Sequence, residues 1–122
     1  MQEKPTTLYD NASGTGGSIT LSQSAANFNY LEVIYSKWGK YYASTKVHSP
    51  SGKTVSLTDS YYDNSNAPDN NLHQILTTII SISGTSVTVL SGNTGLTNLN
   101  YNNQVGLFNN NELYIHRIIG YK

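Results

Sequence analysis

Few side chains in this 122-residue sequence are equipped for chemistry: three histidines, seven carboxylates, ten tyrosines, one tryptophan and no cysteine. The missing thiols rule out cysteine nucleophiles, Cys-ligated zinc and disulfides together. His48, His73 and His116 sit in separate segments, without the His-x-His or His-x₃-His spacing that builds a metal site locally. The simplest reading puts one at a strand end and two half-exposed on sheet faces. His116, between Tyr114 and Ile118, also suits pH sensing at an interface.

Glycoside hydrolysis needs two facing carboxyl groups, one with a raised pKa. Glu32 alone lies inside a strongly apolar run, and no second member is identifiable in the sequence. No Gly-x-Ser-x-Gly elbow occurs. The glycines of "GTGG" at 14–17 are followed by Ile19 and a strand-like run, where a phosphate-cradling loop requires a third glycine and a helix. No catalytic residue is assigned and no enzymatic activity is expected. Asp63 and Asp69, among Asn64, Asn66 and Asn70, offer hard oxygen ligands to Ca²⁺ but lack the spacing of a known calcium loop. An ordinary solvated loop is the simpler reading, so no metal or cofactor is expected.

The aromatic residues carry more. Trp38, Tyr41, Tyr42, Tyr61, Tyr62 and Tyr101 fall in turn-like segments. Aromatic faces stack on sugar rings, and neighbouring Asn or Asp side chains such as Asp63 hydrogen-bond hydroxyls, so these loops suit a shallow glycan site. The same residue types suit a subunit interface.

Short strands must position these groups. "SITLS" and "FNYLEVIYS" alternate with period 2, placing Ile19 and Leu21, then Leu31, Val33 and Tyr35, on one face. Phe28, Tyr30, Ile34 and Glu32 occupy the other face of the second run, which therefore reads as central. "TTLYD" is a first strand before the turn-rich "NASGTGG", and "QSAAN" allows one helical turn. "KWGK" reverses the chain into "KYYASTKVHS", and "SPSG" is a turn with Pro50 in its second position. "KTVSLTD" points Val55 and Leu57 inward, and residues 59–71 read as a surface loop. "LHQILTTIISIS" satisfies helical spacing, but its β-branched content favours a strand, leading through "GTS" into a hairpin with "VTVLS". Residues 92–111 suggest one short irregular strand around Val105–Phe108. In "ELYIHRIIGYK", Leu113, Ile115 and Ile119 alternate against Tyr114, His116 and Ile118. Eight or nine short strands without a long helix predict an all-β antiparallel sandwich, jelly-roll-like, as a single domain over 7–122 behind a linker at 1–6.

Seven basic residues balance seven acidic ones, so no field of one sign draws nucleic acid or an anionic membrane surface. Charged residues make up only 11%, and 15 Asn, 15 Ser and 13 Thr supply solubility instead. "MQEKPTT" has no apolar core of a secretory signal, and no apolar run reaches membrane-spanning length.

The blocks "TLYDNASGTGGSITLSQSAANFNYLEVIY", "STKVHSPSGKTVSL" and "YIHRIIGYK", in that order over Thr7 to Lys122, resemble a C-terminal module of tail, baseplate and minor structural proteins from phages of Gram-positive bacteria. The resemblance implies a β-sandwich in a virion tail fibre or baseplate, used in assembly or host adsorption. Its partners would be other virion proteins or itself, as a homo-oligomer such as a trimer, and a host cell-wall glycan. Two alternatives are a carbohydrate-binding module of a cell-surface or secreted protein and a purely structural oligomerisation domain. The resemblance carries no catalytic residues.

Overall fold

The computed structural model describes residues 4–37, 39, 41–66, 70–98, 105–108 and 113–122, with the backbone alone for 61–66, 70–74, 93–98 and 105–108. The described strands are β1 (Thr6–Thr15), β2 (Ile19–Thr20), β3 (Tyr30–Lys37), β4 (Tyr41–His48), β5 (Thr54–Asn66), β6 (Asn70–Ser83), β7 (Ser86–Asn98), β8 (Val105–Phe108) and β9 (Leu113–Tyr121). They form two antiparallel sheets. One has the order β1-β9-β3-β4; the other has the order β2-β7-β6-β5, with β8 also on β7. The fold is the β-sandwich that the alternation predicts.

Between the sheets lie Leu31, Val33, Tyr35, Leu113, Ile115 and Ile118 from one side and Leu57, Leu76, Ile80, Ile82 and Val87 from the other, all at most 2% exposed. The Tyr35 hydroxyl donates to the Thr58 carbonyl at 2.8 Å, tying the two sheets through a polar contact at the edge of this core. The expected helical turn is a 3₁₀ turn at Ala25–Asn27, where the Ser24 hydroxyl caps the Ala26 N–H. Phe28 follows and covers Gly120, where a Cβ would come within 2.6 Å of the ring.

Several boundaries differ from expectation. β1 continues past Asp10 through "NASGT", where residues 11–14 bulge without ladder partners and Thr15 pairs again, with Ile115 of β9. The predicted loop at 59–71 is largely an extended hairpin, with β5 and β6 paired from Thr54↔Ser81 to Asn66↔Asn70. Polar residues sustain strands there because strand propensity reflects pairing context more than hydrophobicity. Likewise β7 runs on to Asn98, and the short strand at Val105–Phe108 pairs with it. The turn after β4 closes one residue later than predicted. The Lys53 N–H bonds the Pro50 carbonyl, so Pro50 stands first and Gly52, at φ 86°, third.

The largest departure is at His116. Ile34 pairs with Arg117 and Tyr35 with Ile115, leaving His116 as the extra residue of a bulge in β9. Past the bulge the parity of the strand is inverted. Ile118 therefore joins Ile115 in the core and Ile119 turns to the outer face, the reverse of the simple alternation.

Candidate functional site

The outer face of the four-stranded sheet gathers the aromatic and charged groups. Its floor comes from alternate positions of β3 (Tyr30, Glu32, Ile34 and Ser36), which register against His48, Lys46, Ser44 and Tyr42 of β4. At one end, Tyr30 and Tyr121 stack with centroids 4.6 Å apart and planes 6° from parallel, and His48 tilts against Tyr30 at 5.3 Å. Lys46 Nζ stands 5.6 Å from the Tyr30 ring centroid. The Tyr121 hydroxyl donates to Glu32 Oε1 at 3.3 Å. Partial burial first, then the Glu32 charge and hydrogen bond, then Tyr30, raise the Tyr121 pKa above its ordinary value.

At the other end the bulge turns His116 into the sheet surface, where it is 6% exposed instead of half-exposed. β1 bulges to match, with residues 11–14 passing opposite this one residue between the pairs Asp10↔Arg117 and Thr15↔Ile115. The Ala12 carbonyl meets His116 Nδ1 at 3.0 Å, and Nε2 lies 2.5 Å from Ser36 Oγ. A carbonyl can only accept, so in the neutral ring Nδ1 carries the proton and the Ser36 hydroxyl donates to Nε2. The Gly39 N–H donates to Ser36 Oγ at 2.9 Å. Gly14, at φ 79°, closes over the imidazole, where a Cβ would lie 2.8 Å from Cε1.

A serine bonded to a histidine that a third group orients is the arrangement of a nucleophile and its base. Here Ser36 is fully buried, with its oxygen held between Nε2 and the Gly39 N–H. The triad therefore ties β1, β3, β9 and the β3–β4 turn together, and it presents no oxygen to an incoming carbonyl carbon in this conformation.

Above this tie stands Tyr42, 59% exposed, its ring 5.0 Å from the imidazole and inclined by 49°. Two shallow hollows meet at Tyr42 and Ile34. One, of about 270 Å³, extends over His116 to Asp10, Asn11 and Arg117. The other, of about 280 Å³, extends to Glu32, Ala43 and Ser44. Arg117 Nη2 and Asp10 Oδ2 are 3.4 Å apart at the rim, each about half exposed, a geometry that contributes little to stability.

Of the residues singled out in the sequence, Tyr42 lies in this site, whereas Tyr41, at the start of β4 and 46% exposed, has the opposite strand parity and lines neither hollow. Both belong to a strand, not to a turn. Tyr61, Tyr62 and Asp63 lie along β5, in register with Gln74, His73 and Leu72, and only their backbone is described. Trp38, Tyr101 and Asp69, the last with its calcium reading, lie outside the described residues. Sequence reasoning read His116 as half-exposed on a sheet face or as a pH sensor at an interface, and it missed Asp10, Ile34 and Arg117 as site members. Their common signal is outward parity on neighbouring strands, which is legible only once the sheet order and the bulge are known.

Fold and site together define a β-sandwich with an aromatic, polar-rimmed trough on one sheet. The chain matches no protein-family model, and no curated protein matches it.

Proposed function

We propose that the domain is a non-enzymatic recognition module of a phage virion, carried on a tail fibre or baseplate protein, that touches a glycan of the host surface through the outer face of the four-stranded sheet. The phage assignment rests on the sequence resemblance. The observation that supports recognition is Tyr42: a half-exposed ring braced from below by His116, with apolar Ile34 beside it and hydroxyl-binding Asp10, Asn11 and Arg117 within one hollow. Ring faces that pack on sugar C–H groups beside such polar groups are the chemistry of shallow saccharide sites.

The test is a host-cell pull-down and a glycan array with the 122-residue chain and its Tyr42→Ala variant. Binding by the parent chain and its loss in the variant, at unchanged melting temperature, is the expected result. Equal binding by both proteins rejects this face.

A second reading, self-assembly, draws on the other sheet. Ile75 and Leu90 are 54% and 57% exposed there, and Leu90 is the extra residue of a bulge between the pairs Ile79↔Ser91 and Ile80↔Val89. A symmetric oligomer in light scattering that dissociates on Leu90→Asp supports it; a monomer at high concentration removes it.

A further inference from the structure

We infer that the trough is a two-subsite cleft for an uncharged oligosaccharide bearing adjacent hydroxyls, one ring on each side of Tyr42. This rests on the glycan reading above and specifies its ligand. The two hollows share Ile34 and Tyr42 and diverge from them, so the tyrosine is a partition between neighbouring compartments. Each falls just short of the roughly 300 Å³ at which ordinary ligand pockets begin. One hollow therefore seats one small ring, and a ligand with useful contact area must occupy both.

The chemistry of the walls narrows the class. Both ring nitrogens of His116 are engaged, by Ala12 and Ser36, so the imidazole offers the ligand a packing surface and no vacant hydrogen-bonding atom. Tyr42 and Ile34 supply the apolar remainder. At the rim of the first hollow, the Arg117 guanidinium and the Asp10 carboxylate stand side by side. A vicinal diol satisfies both, since each hydroxyl can donate to the carboxylate while accepting from the guanidinium. In the second hollow the polar groups are Glu32 and Ser44, again an acceptor beside a hydroxyl. Two carboxylates and one guanidinium line the pair; Arg117 is already balanced by Asp10 in the first hollow and Glu32 is the lone charge in the second, so a sugar acid meets a paired cation in one compartment and like charge in the other. Lys46, opposite Glu32 in the sheet, sits over the Tyr30 ring and does not line either hollow.

The experiment is an NMR titration of the 122-residue chain with neutral disaccharides, their constituent monosaccharides and the corresponding uronic acid forms. The expected result is at least one neutral disaccharide bound about tenfold or more tighter than its monosaccharides, a step of about 1.4 kcal/mol, with shifts on both β3–β4 and β9 amides and weaker binding of the acidic forms. Ser44→Ala combined with Glu32→Gln should reduce the disaccharide to monosaccharide affinity, whereas Asp10→Asn should weaken both. Equal affinity for one ring and two overturns the two-subsite inference and leaves the glycan reading standing, as does preference for the acidic forms. Absence of binding to every saccharide, with Tyr42→Ala also without effect on host-cell capture, overturns both.

Discussion

Replacing Gly14 by alanine tests the closure of β1 over His116. Two costs act together. The residue holds φ 79°, and its Cβ would lie 2.8 Å from both His116 Cε1 and Tyr114 Cβ. An L-residue in the left-handed region costs about 1–2 kcal/mol, and forcing an atom into filled space typically about 1–3 kcal/mol. The less flexible unfolded chain returns about 0.4–1 kcal/mol. The net destabilisation is roughly 1–5 kcal/mol, centred on about 3 kcal/mol, and with about 3–6 °C per kcal/mol for a chain of this size that central value lowers the melting temperature by about 9–18 °C. Gly52→Ala and Gly84→Ala supply the control. Both glycines have positive φ, at 86° and 57°, and a Cβ at either meets nothing within 4 Å, so they report the backbone cost alone. Urea unfolding of the three variants should place Gly14→Ala about 1–3 kcal/mol below the other two, with displaced His116 ring resonances in that variant only. If Gly14→Ala unfolds with the controls and leaves the imidazole signals in place, β1 does not close over the ring and the buried tie is misread.

Three further perturbations probe the frame around the site. Tyr35→Phe removes the donor to the Thr58 carbonyl between the sheets and should cost about 0.5–1.5 kcal/mol in denaturant unfolding, the usual net worth of a hydrogen bond whose acceptor water can still reach. Gly120→Ala should cost about 1–3 kcal/mol by displacing the Phe28 ring, and Gly120→Ala with Phe28→Leu should recover part of that loss in the same measurement. The raised pKa of Tyr121 means that the folded chain keeps this phenolic proton at pH values where the unfolded chain releases it. Its contribution is therefore fully present below the ordinary tyrosine value of 10.0 and is lost as pH rises through the folded value. The ultraviolet difference between parent and Tyr121→Phe during alkaline titration should show this ionisation late, and Glu32→Gln should bring it earlier; an unmoved transition would refute the Glu32 contribution.

Much of this architecture is legible in local pattern. Alternation in "YLEVIYS" assigns Leu31, Val33 and Tyr35 to the core, and Gly39 and Gly84 mark two hairpin reversals where φ is positive. The single helical turn in "QSAAN" and the strand at "LHQILTTIISIS" follow from residue type in the same way. These features depend on side-chain parity and backbone freedom within a few residues, which is information a sequence holds directly.

The site was not legible in that way. Its members lie on β1, β3, β4 and β9, and Asp10 meets Arg117 across 107 positions of chain. A period-2 reading of "LYIHRIIGY" assigns Ile118 and Ile119 to the wrong faces because nothing in the run announces that His116 is an extra residue. The extra residue is tolerated because Ala12 and Ser36 satisfy both imidazole nitrogens and Gly14 leaves room for the ring. By itself, then, the sequence determined the fold class, the core row of β3 and the reversals at Gly39 and Gly84. Only the tertiary structure decided which outward residues share a surface, because strand order and a bulge's register depend on hydrogen bonds between segments far apart in the chain.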